Sequence, residues 1–345
     1  MREQIHGGDI YRNQNVMDFS VNSNPLGVPE AVIKVIREKT DTIAHYPDME
    51  CEELRKAIGR YEQMSPEMIL CGNGAAELLY AATLAVRPNK ALLLAPTFSE
   101  YEKALDVVNA NVTYYKLMRE NGYLVQENIL DQIVLELDML FFCNPNNPTG
   151  LVTEPELLKK IICRCEENKV YLILDECFLD FLEDAALYEM KAYCKTCKYL
   201  VVVKAFTKIF CMPGLRLGYV MSGNQELLMQ MRRVMQAWNV SVLAQLGGVA
   251  VLKSPDVYLE ETKIFLKQER RYLEQELKAL GFLVYPSKAN YLFLEGKEGL
   301  YEKALENGFL IRDCQNYMGL EKGAYRIAIR THEENERIVT WLKQL

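Results

Sequence analysis

Lys204-Ala205-Phe206-Thr207-Lys208-Ile209-Phe210-Cys211-Met212-Pro213-Gly214-Leu215-Arg216-Leu217-Gly218-Tyr219 places a lysine after a hydroxyl and ahead of an arginine. Lys208, Thr207 and Arg216 could together grip an aldehyde cofactor and its phosphate. Imine chemistry suits a lysine whose pKa is lowered by burial and by neighbouring cations. The stretch is flanked by two apolar runs, 199–203 and 217–221, both strand-like.

Working outward, the same texture continues upstream. Further strand candidates are 68–71, 91–95, 139–143 and 170–174, and several are continuously apolar, as expected for strands covered on both faces. Amphipathic segments at 51–62, 75–85 and 154–168 alternate with them. Alternation of this kind predicts an α/β domain with a mostly parallel sheet. Ligands in such sheets sit beyond the carboxyl ends of the strands. After about residue 245 a long charged helix (255–280) precedes strands at 291–295, 309–312 and 324–329, with helices at 299–307 and from 333. The expectation is a large α/β domain over 41–245 and a smaller α+β domain made of 1–40 and 246–345.

Three polar clusters follow the ends of apolar runs. Cys71-Gly72-Asn73-Gly74-Ala75-Ala76-Glu77 lies between a strand and a helix. Small residues there let backbone N–H groups approach an anion at a helix N-terminus, although Gly-Asn-Gly is also a plain tight turn. Asn144-Pro145-Asn146-Asn147-Pro148-Thr149-Gly150 reads as a strand-ending turn, or as an amide held by its prolines to donate to a ligand oxygen. Asp175-Glu176 ends the run Tyr171-Leu172-Ile173-Leu174. A carboxylate there is costly unless paired. A pyridinium N–H⁺ is a suitable partner, because the ion pair keeps the ring an electron sink.

Composition narrows the function classes. The 345 residues are half hydrophobic and one quarter charged, and 40 basic against 47 acidic residues leave a net charge of −7. That is ordinary globular composition and a poor match for nucleic acid or anionic membrane. No apolar run is long enough to span a bilayer. The opening MREQIHGGDIYRNQN is polar and mixed in charge, unlike a signal or transit peptide. Ten cysteines are scattered through the predicted elements, so reduced thiols in a cytoplasm are expected. Cys194 and Cys197 form a C-x-x-C, but with three histidines in the chain and no second cysteine pair nearby, no metal site is expected.

The ordered set N-P-N-N-P-T-G, D-E, then T-K with P-G-L-R-x-G-Y resembles the class I/II aminotransferase superfamily, pyridoxal-phosphate (PLP) fold type I. The resemblance runs over essentially the whole chain. It implies PLP bound to Lys208 as a Schiff base, Asp175 at the pyridine nitrogen and Asn147 at the ring hydroxyl. It implies Thr207, Arg216 and the backbone of Gly74, Ala75 and Ala76 at the phosphate, with Phe98 stacked on the ring. Tyr46, in His45-Tyr46-Pro47-Asp48, resembles a tyrosine lent to a partner subunit's phosphate site, which implies a homodimer.

Within the superfamily the chain most resembles threonine-phosphate decarboxylases of cobalamin biosynthesis, then histidinol-phosphate aminotransferases. The decarboxylase features are His6-Gly7-Gly8-Asp9-Ile10, Asp18-Phe19-Ser20-Val21-Asn22-Ser23-Asn24-Pro25-Leu26-Gly27, and Phe178 where aminotransferases carry a tyrosine. By resemblance Arg326 takes the substrate carboxylate, in keeping with a bidentate fork. His6, Arg312 and Arg330 then surround a substrate phosphate, with Asn22 and Asn147 also at the substrate. Two departures stand out. Lys204 replaces the usual arginine, and Ala205 replaces a hydroxyl residue that normally bonds the cofactor phosphate. Grip on PLP is then weaker, unless Lys204 compensates.

Overall fold

The computed structural model describes residues 6–345; the first five residues, on which part of the reading of the leader rests, lie outside it. The strands in chain order are β1 (Met17–Asp18), β2 (Ile69–Gly72), β3 (Lys90–Ala95), β4 (Asn111–Lys116), β5 (Met139–Cys143) and β6 (Tyr171–Asp175). They continue with β7 (Leu200–Ala205), β8 (Gly218–Met221), β9 (Leu283–Val284), β10 (Tyr291–Glu295), β11 (Phe309–Leu310), β12 (Arg312–Asp313) and β13 (Ala324–Ala328).

Seven of these form one sheet in the order β2-β8-β7-β6-β5-β3-β4. β8 runs antiparallel to both its neighbours, and the other pairings are parallel. The sheet is thus mixed but mostly parallel, and the molecule is of the expected α/β class. Strands β2, β5, β7 and β8 are buried at every residue. Their unbroken apolar runs are what coverage on both faces demands. Helices Gly74–Val86 and Pro155–Asn168 supply part of that cover.

A second sheet, antiparallel, has the order β12-β13-β10-β9, and the helix Asp256–Ala279 packs against it. β1 pairs in parallel with β11. The chain between β1 and the first helix is tied in further: Phe19 N–H donates to Leu310 O and Ala328 N–H to Phe19 O, each at 2.8 Å. The Glu30–Glu38 helix lies instead against the Val242–Val251 helix.

Two expectations need correction. The run 309–312 is not one strand: Phe309–Leu310 joins β1, whereas Arg312–Asp313 joins β13, so the chain changes sheets at the buried Ile311. The strand β4 was not expected at all. Its sequence, Asn111-Val112-Thr113-Tyr114-Tyr115-Lys116, mixes polar and apolar residues because it lies at the sheet edge and is partly exposed. Among the described residues, no helix is long and apolar enough to cross a membrane.

Candidate active site

A cavity of about 240 Å³ opens at the carboxyl ends of β5, β6 and β7, where open α/β sheets bind ligands. β6 ends at Asp175, which register sets beside Cys143 of β5 and Val203 of β7. Asp175 lines the cavity, and both its oxygens have partners. Oδ1 accepts from the Cys177 N–H at 2.9 Å, and Oδ2 accepts from the Tyr101 hydroxyl at 2.7 Å. Such bonds are what a buried carboxylate requires.

Side chains alternate along β7, and that decides the fate of its last two residues. Ala205 faces the cavity. Lys204 turns away into a cage of Asp180 at 3.0 Å, Glu62 at 3.3 Å and Glu189 at 3.5 Å. Lys204 therefore gives the cavity no donor, and it does not compensate for the hydroxyl missing at Ala205.

Thr207 and Lys208 follow on the short turn Phe206–Ile209, and both line the cavity. Among the described residues no carboxylate pairs with Lys208. Desolvation first, then the Arg326 and Arg216 guanidiniums, lower its pKa to about 8, against the opposing pull of Cys177 and Asp175. Its Nζ lies 5.9 Å from the centre of the Phe178 ring. A lysine with this tuning holds a usable fraction of neutral amine near neutral pH.

An anion cradle stands beside it. The Gly74–Val86 helix starts at the cavity, and the residue before it, Asn73, makes no side-chain capping bond. The first N–H groups, those of Ala75 and Ala76 among them, are left for a ligand, and both residues line the cavity. Gly74 sits at φ +81°, and a Cβ there would come within 2.5 Å of Arg216 Nη2. Only glycine lets the guanidinium lie this close to the helix start. Arg216 itself has φ +56°, a left-handed conformation costing roughly 1–3 kcal/mol and typical of functional positions.

The opposite wall is cationic too. Arg326, on β13, bonds Asn147 Oδ1 through Nη1 and Ser20 O through Nη2, the latter at 2.7 Å. Its Nε is buried with no partner among the described residues, as is Oδ1 of Asn22. Arg312, on β12, donates to Asn316 Oδ1 at 2.9 Å and lies 5.1 Å from the centre of the Tyr317 ring. His6 reaches the same rim, where its Nε2 is 2.8 Å from a Glu100 carboxylate oxygen. Phe98 lines the cavity edge-on to Tyr101.

Two expected residues lie elsewhere. Arg330 is paired with Glu334 at 2.9 Å and does not line the cavity. Tyr46 is 78% exposed, its ring 4.5 Å from that of Trp238 and tilted to it by 30°, and is also outside the cavity. Conversely, Tyr101, Ser20, Tyr317, Cys143 and Cys177 line it without having been singled out for it. Tyr101 had a sequence signal, since it stands three residues after Phe98 and so on the same face of a helical turn.

An unpaired amine, a braced carboxylate, a helix-start anion cradle and a second cationic wall suit an aldehyde-bearing aromatic phosphate together with an anionic substrate. The family model for aminotransferase class I and II matches residues 14–342. A threonine-phosphate decarboxylase of Salmonella typhimurium (strain LT2) is 35% identical over 352 residues, covering 99% of this chain and 96% of the relative. A histidinol-phosphate aminotransferase of Thermoanaerobacter sp. (strain X514) is 31% identical over 355 residues, covering 100% of this chain and 98% of the relative. The crystal structure of the histidinol-phosphate aminotransferase from Clostridium acetobutylicum matches with a TM-score of 0.88 at 28% identity, covering 94% of this chain and 98% of that one.

Proposed function

This chain belongs to the class I and II aminotransferase family, and from that premise we propose that it decarboxylates L-threonine O-3-phosphate to an aminopropanol phosphate. It is a PLP-dependent enzyme; the cofactor supplies an electron sink for the bond that breaks at the substrate's α-carbon. Lys208 holds the cofactor aldehyde, Asp175 meets the ring nitrogen, and Asn147 and Phe98 hold the ring oxygen and ring face. Thr207, Arg216 and the N–H groups at Gly74, Ala75 and Ala76 take the cofactor phosphate.

The observation that carries the reading is the pair of cationic centres on the substrate side. Arg326 keeps an unpartnered Nε in a buried position, and it suits a carboxylate. Arg312 and His6 share the cavity rim and suit a phosphate. Asn22 and Arg326 would hold the substrate carboxylate and so orient the bond to be cleaved. Lys208 Nζ would then donate a proton to the α-carbon in the place of the departed carbon dioxide. Phe178 brings no hydroxyl to the ring oxygen, which leaves Asn147 to act there alone. This is the chemistry of the cobalamin-pathway decarboxylases that the sequence resembles.

Transamination of histidinol phosphate is the second reading, favoured by the 0.88 TM-score to such an enzyme. Product analysis of a single turnover with threonine phosphate separates them. Carbon dioxide with PLP retained supports the decarboxylase. Pyridoxamine phosphate without carbon dioxide overturns it in favour of transamination.

The reading includes a homodimer. Ile43, Tyr46, Met49 and Trp238 are exposed large apolar side chains from two neighbouring parts of the surface, and a second copy would cover them. Tyr46 then reaches the partner's phosphate site. Sedimentation should give twice the chain mass, and a monomer at working concentration would rule this out.

A further inference from the structure

Tyr101 is wholly buried, and its ring stacks on Phe141 of β5 at 5.1 Å and 11° while meeting Phe98 edge-on at 5.6 Å and 86°. Its one polar atom points at Asp175 Oδ2, 2.7 Å away. A buried phenol must find an acceptor, but here the acceptor is the carboxylate assigned to the cofactor nitrogen, and the neighbour on the other side is the aromatic assigned to the cofactor ring. One side chain thus braces two parts of the cradle from behind. Burial, then the Asp175 charge, pushes the phenol's pKa well up, so it stays a donor at any working pH.

We propose that Tyr101 is a positioning residue that keeps Asp175 as the anion, so that the proton shared with the cofactor stays on the ring nitrogen. The argument rests on PLP being bound as described above. A carboxylate that accepts a hydrogen bond is less basic than a free one. Between Asp175 and a pyridine nitrogen one proton is shared, and the hydroxyl of Tyr101 decides the side on which it rests. Oδ1 is held by the Cys177 backbone, which no side-chain change removes, so Tyr101 is the adjustable half of the pair. With the proton on nitrogen the ring is the stronger electron sink.

Tyr101→Phe keeps the stack on Phe141 and removes only the donor. In protein loaded with PLP labelled with ¹⁵N in the ring, the wild-type nitrogen signal should lie at the pyridinium position. In Tyr101→Phe it should move toward the neutral pyridine position at the same pH. Replacing Tyr101 by 3-fluorotyrosine, a stronger donor of nearly the same shape, should move it no closer to neutral pyridine than wild type. Loss of one hydrogen bond to a charged group predicts kcat lowered about tenfold, with KM moved less than about threefold. An unchanged nitrogen signal in Tyr101→Phe, with PLP still covalently trapped by borohydride at Lys208, overturns the role of Tyr101. Wild-type protein that takes up no labelled PLP overturns the cofactor reading itself, and is distinguished by the missing trapped adduct.

Discussion

Lys204 and Lys208 stand four residues apart, at the end of β7 and on the turn that follows it. Both are closely packed, yet their surroundings differ in one respect. Lys204 meets three carboxylates within 3.5 Å. Burial works against its charge, but Asp180, Glu62 and Glu176 outweigh it and hold the pKa well above the usual lysine range. Lys208 has no such partner among the described residues and two guanidiniums nearby, so burial and repulsion bring it to about 8. Desolvation alone neutralises a lysine; acids placed around it reverse the sign. The first lysine is a structural cation and the second a nucleophile: alternation along β7 turns Lys204 away from the cavity, and the turn after the strand brings Lys208 into it.

The comparison is broken most severely at the second lysine. Lys208→Ala should abolish borohydride trapping of PLP and lower activity by roughly 10³-fold or more, measured by mass spectrometry of the reduced adduct and by turnover. Lys204→Met should leave trapping intact but cost about 3–5 kcal/mol of stability, because Asp180 loses its one ion-pair partner among the described residues and Glu62 and Glu189 are left to share Lys191. Urea unfolding of the loaded protein would register it, and a variant as stable as wild type would contradict the cage.

The pH dependence sharpens the contrast. Neutral amine is the reactive form, and a lowered pKa means that form appears as pH rises through about 8. The rate at which apoprotein captures PLP should climb about tenfold per unit below that pH and level off above it. Lys204→Met should leave that midpoint in place. The smallest expected effect is Ala205→Ser, which adds a hydroxyl to the cavity-facing position of β7. One further hydrogen bond should tighten PLP about 2- to 10-fold, read by fluorescence titration, with no gain from Lys204→Arg, whose side chain faces the cage.

The same alternation explains what the sequence could and could not tell. The unbroken apolar runs ending at Cys143, Leu174 and Val203 located the central strands, because coverage on both faces leaves no polar position to blur them. β4 escaped because an edge strand carries both textures. Asp175, Asn147, Lys208 and Arg216 were legible as motifs, each at a strand end or a turn where a polar residue needs a reason. Whether Lys204 offsets the hydroxyl missing at Ala205 stayed open in the sequence, because one residue along a strand reverses the direction of a side chain and only the fold fixes which face meets the cavity. Tyr101 passed unnoticed because a tyrosine inside an amphipathic helix looks like packing, and its partner Asp175 lies 74 residues away. Arg330, equally, was expected beside a phosphate and is held by Glu334, in the first turn of the helix that follows it.

The wall of the cavity is closed by Arg326 reaching Ser20 O across 306 residues of chain, with β1 and β11 joined in the same region. A ribosome must therefore finish β13 before this wall can exist, however early β2 to β8 assemble. Contacts of such long sequence separation are slow to close. During synthesis the Lys208 amine is thus present and unroofed well before the arginine that lowers its pKa arrives. Cofactor capture is set to be a late event in the life of each new chain, and refolding with PLP added at successive times should show uptake following the slowest folding phase.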